Sequence, residues 1–359
     1  MSEINFDGLI GPTHNYSGLS EGNNASKKNF SSPSNPKNAA LQGIKKAETL
    51  ISSGLIQGFF LPHERPFIPG LKKLGFHGTD EEILSAAFHH SKVLLSNFSS
   101  ASSMWAANAA TVSPSPDTQD DKVHLTPANL NTMFHRSIET EFTYQQCKII
   151  FPKKYFEIHN PAPTISGYGD EGAANHLRIS KSHNEKGFEI FVYGESGFKN
   201  DKTSVKRQAL EVSRSIAFNH KLDMENTFFL QQNHQAVKEG SFHNDIVSLS
   251  NESVFIAHEN AYQNKDDLNK MLNRLKSKID NFQYIEISDF EIPLKDIINS
   301  YLLNSQLITN GDNEMQLILP EEVKGYVNCM SWLDKLKQIS DIKLFDFVDI
   351  RQSMMNGGG

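Results

Sequence analysis

The sequence has only two cysteines, Cys147 and Cys329, in 359 residues. They form no C-x-x-C pair and no even spacing, which excludes a disulfide framework and a thiolate zinc site and fits a reducing, cytoplasmic setting. Positive charge is not in excess either. The 35 Lys and Arg against 42 Asp and Glu leave a net charge of −7, with no broad basic field for nucleic acid or an anionic membrane surface. No apolar run approaches the ~18 residues needed to span a bilayer, and the opening MSEINFDGLI lacks the basic start of a secretory signal. What is present, 38% hydrophobic and 21% charged residues, suffices for a sizeable core and points to a folded protein that works on a small molecule.

Common cofactor motifs are missing as well. Gly167, Gly169 and Gly172 in SGYGDEG have dinucleotide-fingerprint spacing, but Asp170 and Glu171 stand where a pyrophosphate would approach and no helical run follows. There is no G-x-x-x-x-G-K-[ST] and no H-E-x-x-H. The histidines, such as the adjacent His89 and His90, read mostly as surface or satisfied core residues, and neither a metal nor an organic cofactor is expected.

No Pro/Gly/Ser linker divides the chain, so 1–359 reads as one domain, with SSPSNP (31–36) and TVSPSPDTQDD (111–121) as surface loops. Helical period predicts a helix over 38–53, with Ala39, Ile44, Ala47 and Ile51 on one face, and another over 204–218, with Val205, Leu210, Val212 and Ile216. Thr79 and Glu82 form a capping box that opens a third helix through Ile83, Ala87 and Leu94. Short β-rich stretches lie at 188–194, 253–258, 284–288, 315–320 and 342–347. The class is mixed α/β.

A longer period runs through these elements. NAATVSPSPDTQDDKVHL, NHLRISKSHNEKGFEIFVYG, HNDIVSLSNESVFIAH and NSQLITNGDNEMQLIL each read as a polar residue followed by a β-hairpin. Their first residues, Asn108, Asn175, His243 and Asn304, stand 67, 68 and 61 apart, and a further step of 52 reaches Asn356 in the closing NGGG. Equivalent hairpins around an axis place their leading polar residues near a common centre, where a pocket forms. Hairpins of an ordinary α/β protein give a similar pattern, so spacing alone leaves both readings open. On the radial reading, structure is expected to follow NGGG and the chain reads as cut short.

Several polar strings, FDGLIGPTHNYSGLSEGNNAS, SSASSMWAANAATV, KVHLTPANLNTMFHRS, GDEGAANH, FHND and MNGGG, place Asn, His, Asp and Arg beside glycines, which permits close approach to a polar ligand. With HERPFIP, they resemble the N-succinylarginine dihydrolase family of the guanidine-modifying superfamily, essentially over the whole chain. The resemblance implies a pentein-type five-bladed α/β propeller of ββαβ repeats, its last blade truncated here. It implies conversion of N2-succinyl-L-arginine to N2-succinyl-L-ornithine, two ammonia and carbon dioxide in the arginine succinyltransferase pathway, by a cytoplasmic homodimer without cofactor.

By the same resemblance, the catalytic glutamate and histidine are Glu171 and His243. The nucleophilic cysteine belongs to an N-G-G-G-P-A-C motif that this sequence follows from Asn356 to Gly359, so it is expected just beyond Gly359. Cys147, read as a strand residue, and Cys329, read as a helical core residue, are expected to be inert. A planar guanidinium calls for carboxylates that neutralise and orient it, for which Glu171 and Asp245 are suited. His243 is expected to protonate departing ammonia and then activate water. Arg136 and Arg207 match the residues that bind the anionic tail, although Arg207 on its own reads as a solvated charge four residues before Glu211. Asn108, His135, Asn356 and the loop of Ser17, Gly18, Leu19, Ser20, Glu21, Gly22, Asn23, Asn24, Ala25 and Ser26 match the remaining contacts, and the loop is a candidate lid. Glu21, where a large apolar residue is expected, and Pro12 depart from the pattern. A deiminase or amidinotransferase on the same scaffold, or a catalytically dead binder of succinylarginine, are the competing readings.

Overall fold

The computed structural model describes residues 3–15, 17–20, 23–30, 32–102, 104–165, 167–197 and 207–356. Among these, the strands form five small separate sheets. The first pairs β1 (Ile4–Gly8) with β2 (Ile56–Phe60) in parallel. The others are β3 (Ala110–Ser113), β4 (Val123–Pro127) and β5 (Phe156–Ile158); β6 (His176–Ile179), β7 (Phe188–Tyr193) and β8 (Thr227–Gln231); β9 (Ser248–Asn251), β10 (Val254–His258) and β11 (Gln283–Ile287); and β12 (Gln306–Thr309), β13 (Met315–Pro320) and β14 (Ile342–Val348).

Each three-stranded sheet has the same construction: an antiparallel hairpin, then a third strand parallel to the second. A parallel return requires a crossover, and a helix fills each one, namely Thr140–Ile150, Leu210–Asn219, Lys265–Lys276 and Val327–Ile339. The four hairpins read from the sequence are all present, with β3–β4, β6–β7, β9–β10 and β12–β13 in antiparallel register. Asn356, where a fifth is expected to begin, is described, and residues 357–359 after it lie outside the described residues.

Middle strands carry the core. β10 and β13 are buried at every position, and their Val, Ile, Leu and Phe residues pack against helices on one side and neighbouring sheets on the other. Each fully buried Ile or Val, such as Ile190 and Val192 at 0% exposure, contributes about 2 kcal/mol of transfer free energy. Polar bonds then tie one unit to the next. Asn108 Nδ2 donates to the Glu171 carbonyl at 2.8 Å, Asn244 N to Asn175 Oδ1 at 2.9 Å, Asn251 Nδ2 to Thr309 Oγ1 at 2.9 Å, and Gln306 Nε2 to Asn5 Oδ1 at 2.6 Å. The starts of successive units are thereby drawn together.

Five local expectations change. The helix Pro36–Ser52 buries Ala39, Ala47 and Leu50, while Ile44 and Ile51 are exposed at 41% and 54%. The capping box at Thr79 and Glu82 is present, but its helix ends at His90 because Ser91 turns extended and caps a new helix, Lys92–Ser99, which contains Leu94. The 111–121 segment is not a plain surface loop: Asp117 is buried, accepts from Arg178 Nε at 2.5 Å and receives Gly187 N at 2.6 Å. Cys147 lies in the helix Thr140–Ile150, because Thr143, Gln146 and Cys147 form its buried stripe. Of the helix expected over 204–218, Leu210–Asn219 is observed with Val212 and Ile216 buried, and Val205 lies outside the described residues.

Candidate active site

A cavity of about 470 Å³ opens where the units meet, and Asn108, His243 and Asn304, the leading residues of three hairpins, line it. Asn175 is buried beside it, accepting the Asn244 amide.

Behind the cavity wall, bonded to the lining residues Arg136 and His243, sits Glu171, fully buried and therefore costly unless its charge is met. It is placed by the short 3₁₀ turn Gly172–Asn175, whose glycine has φ +72°, a left-handed conformation in which a Cβ would crowd the Ala107 carbonyl oxygen at 3.0 Å. The Glu171 main chain is held by Gln208, whose Oε1 accepts its N–H at 2.7 Å, and by Asn108 on its carbonyl. Three donors meet the carboxylate: Thr132 Oγ1 at 2.9 Å on Oε1, and Arg136 Nη1 at 2.7 Å and His243 Nε2 at 2.9 Å on Oε2. Burial alone pushes this carboxyl up, but Arg136, the His243 bond and Arg207 outweigh it and hold the group well below the usual carboxylate range.

His243 has the opposite balance. Burial holds its pKa down at about 4 against the pull of Glu171, so the imidazole is neutral at pH 7. With Nε2–H assigned to the Glu171 bond, Nδ1 carries the lone pair, which makes the ring a base. Asp245 faces the same cavity; burial pushes its carboxyl up to about 7, and Oδ1 has no hydrogen-bond partner among the described residues. Asp170, beneath Glu171, is likewise pushed up to about 7 by burial, with Glu171 adding to the effect.

Both arginines line the cavity and both are buried, Arg136 at 2% and Arg207 at 3% exposure. Arg207 is thus no solvated surface charge. Its guanidinium lies over the Phe242 ring, 4.3 Å from the centroid. Arg136 is committed through Nη1 to Glu171, whereas its buried Nη2 has no hydrogen-bond partner among the described residues. Glu171, its oxygens occupied by Thr132, Arg136 and His243, does not line the cavity, whereas Asp245 does.

The remaining sequence candidates divide. Ser20, Asn23 and Asn24 line the cavity. Ser17, Gly18, Leu19, Ala25 and Ser26 do not: Asn23 caps the helix Asn24–Lys28, and Ser26 Oγ accepts the N–H groups of Gly18 at 3.0 Å and Ser20 at 3.2 Å, which turns the loop back on itself. Glu21 and Gly22 lie outside the described residues. His135, fully buried in the helix Phe134–Ser137, and Asn356, fully buried, stand off the lining. Burial, then Arg136, holds the His135 pKa down at about 3.

Sequence reasoning missed Thr132, Gln208, Asp170 and Phe242. Thr132, Asp170 and Phe242 lie within strings it selected and Gln208 adjoins Arg207, but nothing in their spacing marks them, because their roles arise from contacts across the fold. The cysteines stand apart. Neither lines the cavity, burial pushes the Cys147 thiol up to about 12, and Cys329 is raised by the same cause. Neither is an activated nucleophile.

Known structures place this architecture. The arginine dihydrolase ArgZ from the ornithine–ammonia cycle of cyanobacteria superposes with a TM-score of 0.58 at 14% identity, covering 98% of this chain and 39% of that one. A dimethylarginine dimethylaminohydrolase gives 0.52 at 12% identity, covering 100% and 97%. The fold is therefore a mixed α/β one with pentein-like neighbours. At the level of sequence, the profile of the succinylarginine dihydrolase family matches residues 1–359. The N-succinylarginine dihydrolases of Acinetobacter baumannii and Hahella chejuensis are 44% and 45% identical over 364 and 365 residues, spanning 99% of this chain and 81% of each relative. The chain belongs to the succinylarginine dihydrolase family.

Proposed function

We propose that this protein acts in the hydrolysis of N2-succinyl-L-arginine to N2-succinyl-L-ornithine, two ammonia and carbon dioxide, and that its five sheets are blades of one pentein-type propeller domain. The observation that carries the reading is the buried Glu171–His243 pair beneath a cavity that also receives Asp245, Arg136 and Arg207. Family membership over the whole chain supports it.

The charges suit a ligand that is cationic at one end and anionic at the other. Asp245 takes the flat guanidinium, ionising as the cation arrives. Arg136, through Nη2, and Arg207 take the carboxylates of the succinylated end. Glu171 is the orienting group: it fixes the His243 tautomer and stabilises the imidazolium once formed. Because His243 is neutral in the empty site, its first act is to accept a proton from the attacking group, and it then delivers that proton to departing ammonia. This reverses the order expected from sequence, and the cause is burial. The resemblance calls for a cysteine nucleophile, and neither cysteine of the sequence reaches the cavity. The same reading carries a homodimeric, cytoplasmic protein that needs no cofactor.

Calorimetry tests it. The chain is expected to bind N2-succinyl-L-arginine, and Asp245→Asn to weaken that binding at least about tenfold, since a hydrogen bond to a charged group is worth ~1.5–3 kcal/mol. Equal binding by the two proteins refutes the reading. In a turnover assay, two ammonia per substrate distinguish a dihydrolase from a deiminase, which releases one.

A further inference from the structure

Asn108 and Asn304 hold the same place in their repeats, at the head of the hairpins β3–β4 and β12–β13, and both line the cavity. Their amides are engaged in the same way. Asn108 Nδ2 donates to the Glu171 carbonyl at 2.8 Å, and Asn304 Nδ2 to the Asp245 carbonyl at 3.5 Å. The Asn304 amide also bonds the Asp245 carboxyl and favours its ionised form. Both of its partners are acceptors, so the carboxamide turns its nitrogen toward Asp245 and its oxygen away. That oxygen, Oδ1, accepts from no group among the described residues.

The main chain on both sides of this pair is anchored. After the helix Leu294–Ser300, Tyr301 turns left-handed at φ +59°, and Leu302 and Leu303, which lead into Asn304, are buried in the core. Just beyond, Gln306 Nε2 is tied to Asn5 Oδ1 at 2.6 Å. On the facing unit, Asp245 sits in the 3₁₀ turn Asn244–Ile246, where Asn175 Oδ1 accepts the Asn244 N–H at 2.9 Å and Ile246 is buried. Two units thus bring an ionisable acceptor and a neutral one to the same cavity wall. A guanidinium carries its N–H donors in one plane, more of them than one carboxylate takes in the forked pairing. Out of water, each N–H left without an acceptor costs its full desolvation.

We infer that Asn304 is a further ligand-binding residue of this cavity, its Oδ1 accepting an N–H of the guanidinium that Asp245 holds while its amide keeps the Asp245 carboxyl in place. This role rests on the reading of the cavity as a succinylarginine site and adds a specificity element to it. A neutral acceptor beside the carboxylate favours a flat head with several N–H donors over a simple ammonium, which a single carboxylate serves.

The test compares two ligands by calorimetry at one ionic strength. N2-Succinyl-L-arginine carries the guanidinium, and N2-succinyl-L-ornithine keeps the same tail but ends in an ammonium on a shorter side chain. Asn304→Leu, close in size and without polar groups, is expected to weaken succinylarginine about tenfold or more and to leave succinylornithine within about twofold. The loss is expected at pH 9, where Asp245 is ionised in the empty site, as well as at pH 7, because Oδ1 meets the ligand directly. Should Asn304→Leu fail to fold, Asn304→Ala is read in the same way. The assignment is overturned if the variant binds succinylarginine as the wild type does, or if both ligands weaken by the same factor, as general distortion would produce. A loss at pH 7 that vanishes at pH 9 overturns it too, since Asn304 would then act only through the ionisation of Asp245. A wild-type chain that does not bind succinylarginine overturns the site reading and this assignment with it, whereas wild-type binding with an indifferent Asn304 overturns the assignment alone.

Discussion

Binding of the cation should release a proton, and the amount is set by one carboxyl group. Asp245 lines the cavity, its Oδ1 has no partner among the described residues, and burial raises its pKa to about 7. In the empty site near neutral pH it is thus partly protonated, whereas beside a guanidinium it is ionised. Binding should therefore release a fraction of a proton near pH 7, more at pH 6 and less at pH 8. The sign for affinity follows. A raised carboxylate must lose its proton before it pairs with a cation, so affinity is highest above the empty-site pKa and falls about tenfold for each pH unit below it. His243 does not mask this, since at about 4 it stays neutral throughout. Calorimetric titration of succinylarginine in phosphate, HEPES and Tris measures the release as the dependence of observed heat on buffer ionisation enthalpy. No buffer dependence at pH 6, or the same dependence in Asp245→Asn, would show that another group meets the guanidinium.

Thr132→Val should leave Glu171 Oε1 without its donor and cost about 1–3 kcal/mol in urea denaturation, while Thr132→Ser recovers most of it; a loss in both variants alike would point to the methyl group instead. Removing Arg178 as Arg178→Ala strands the buried Asp117 charge, and about 3 kcal/mol or more of stability should go with it; a change below 1 kcal/mol would mean that Gly187 N and water suffice. At the helix Asp80–His90, Thr79→Ala should cost about 1 kcal/mol by thermal melt, with unchanged ligand binding. Both thiols should resist a disulfide reagent in the folded chain, and a Cys147→Ala, Cys329→Ala double variant should bind succinylarginine as before; altered binding would place a cysteine near the cavity.

Much of the fold was legible because it is local. Alternation and turn residues mark each hairpin within about twenty residues, and a capping box is a four-residue pattern, so β6–β7 or the helix start at Thr79 can be read without a tertiary structure. Misreadings came where burial decides. Ile44 and Ile51 have the right period but sit on the exposed side of a helix whose contact stripe runs through Ala39, Ala47 and Leu50. Asp117 sits in a Pro- and Asp-rich stretch typical of loops, and Arg178, sixty-one residues away, and the Gly187 N–H meet its buried carboxylate. Cys147 has no strand alternation around it that could be told from a helical stripe in so short an apolar run.

By itself, the sequence determined the inventory: the α/β class, the repeated hairpins with their leading Asn and His, the family, and the residue types of the site. Tertiary structure alone decided how those residues divide their tasks. Glu171 is bound by Thr132, Arg136 and His243, while Asp245 has an oxygen without a partner among the described residues and Arg207 is buried against Phe242. The reason is physical. Periodicity and turn chemistry act between neighbours in the chain, but the protonation and availability of a charged group depend on desolvation and on partners such as His243, seventy-two residues from Glu171, that only the closed fold supplies.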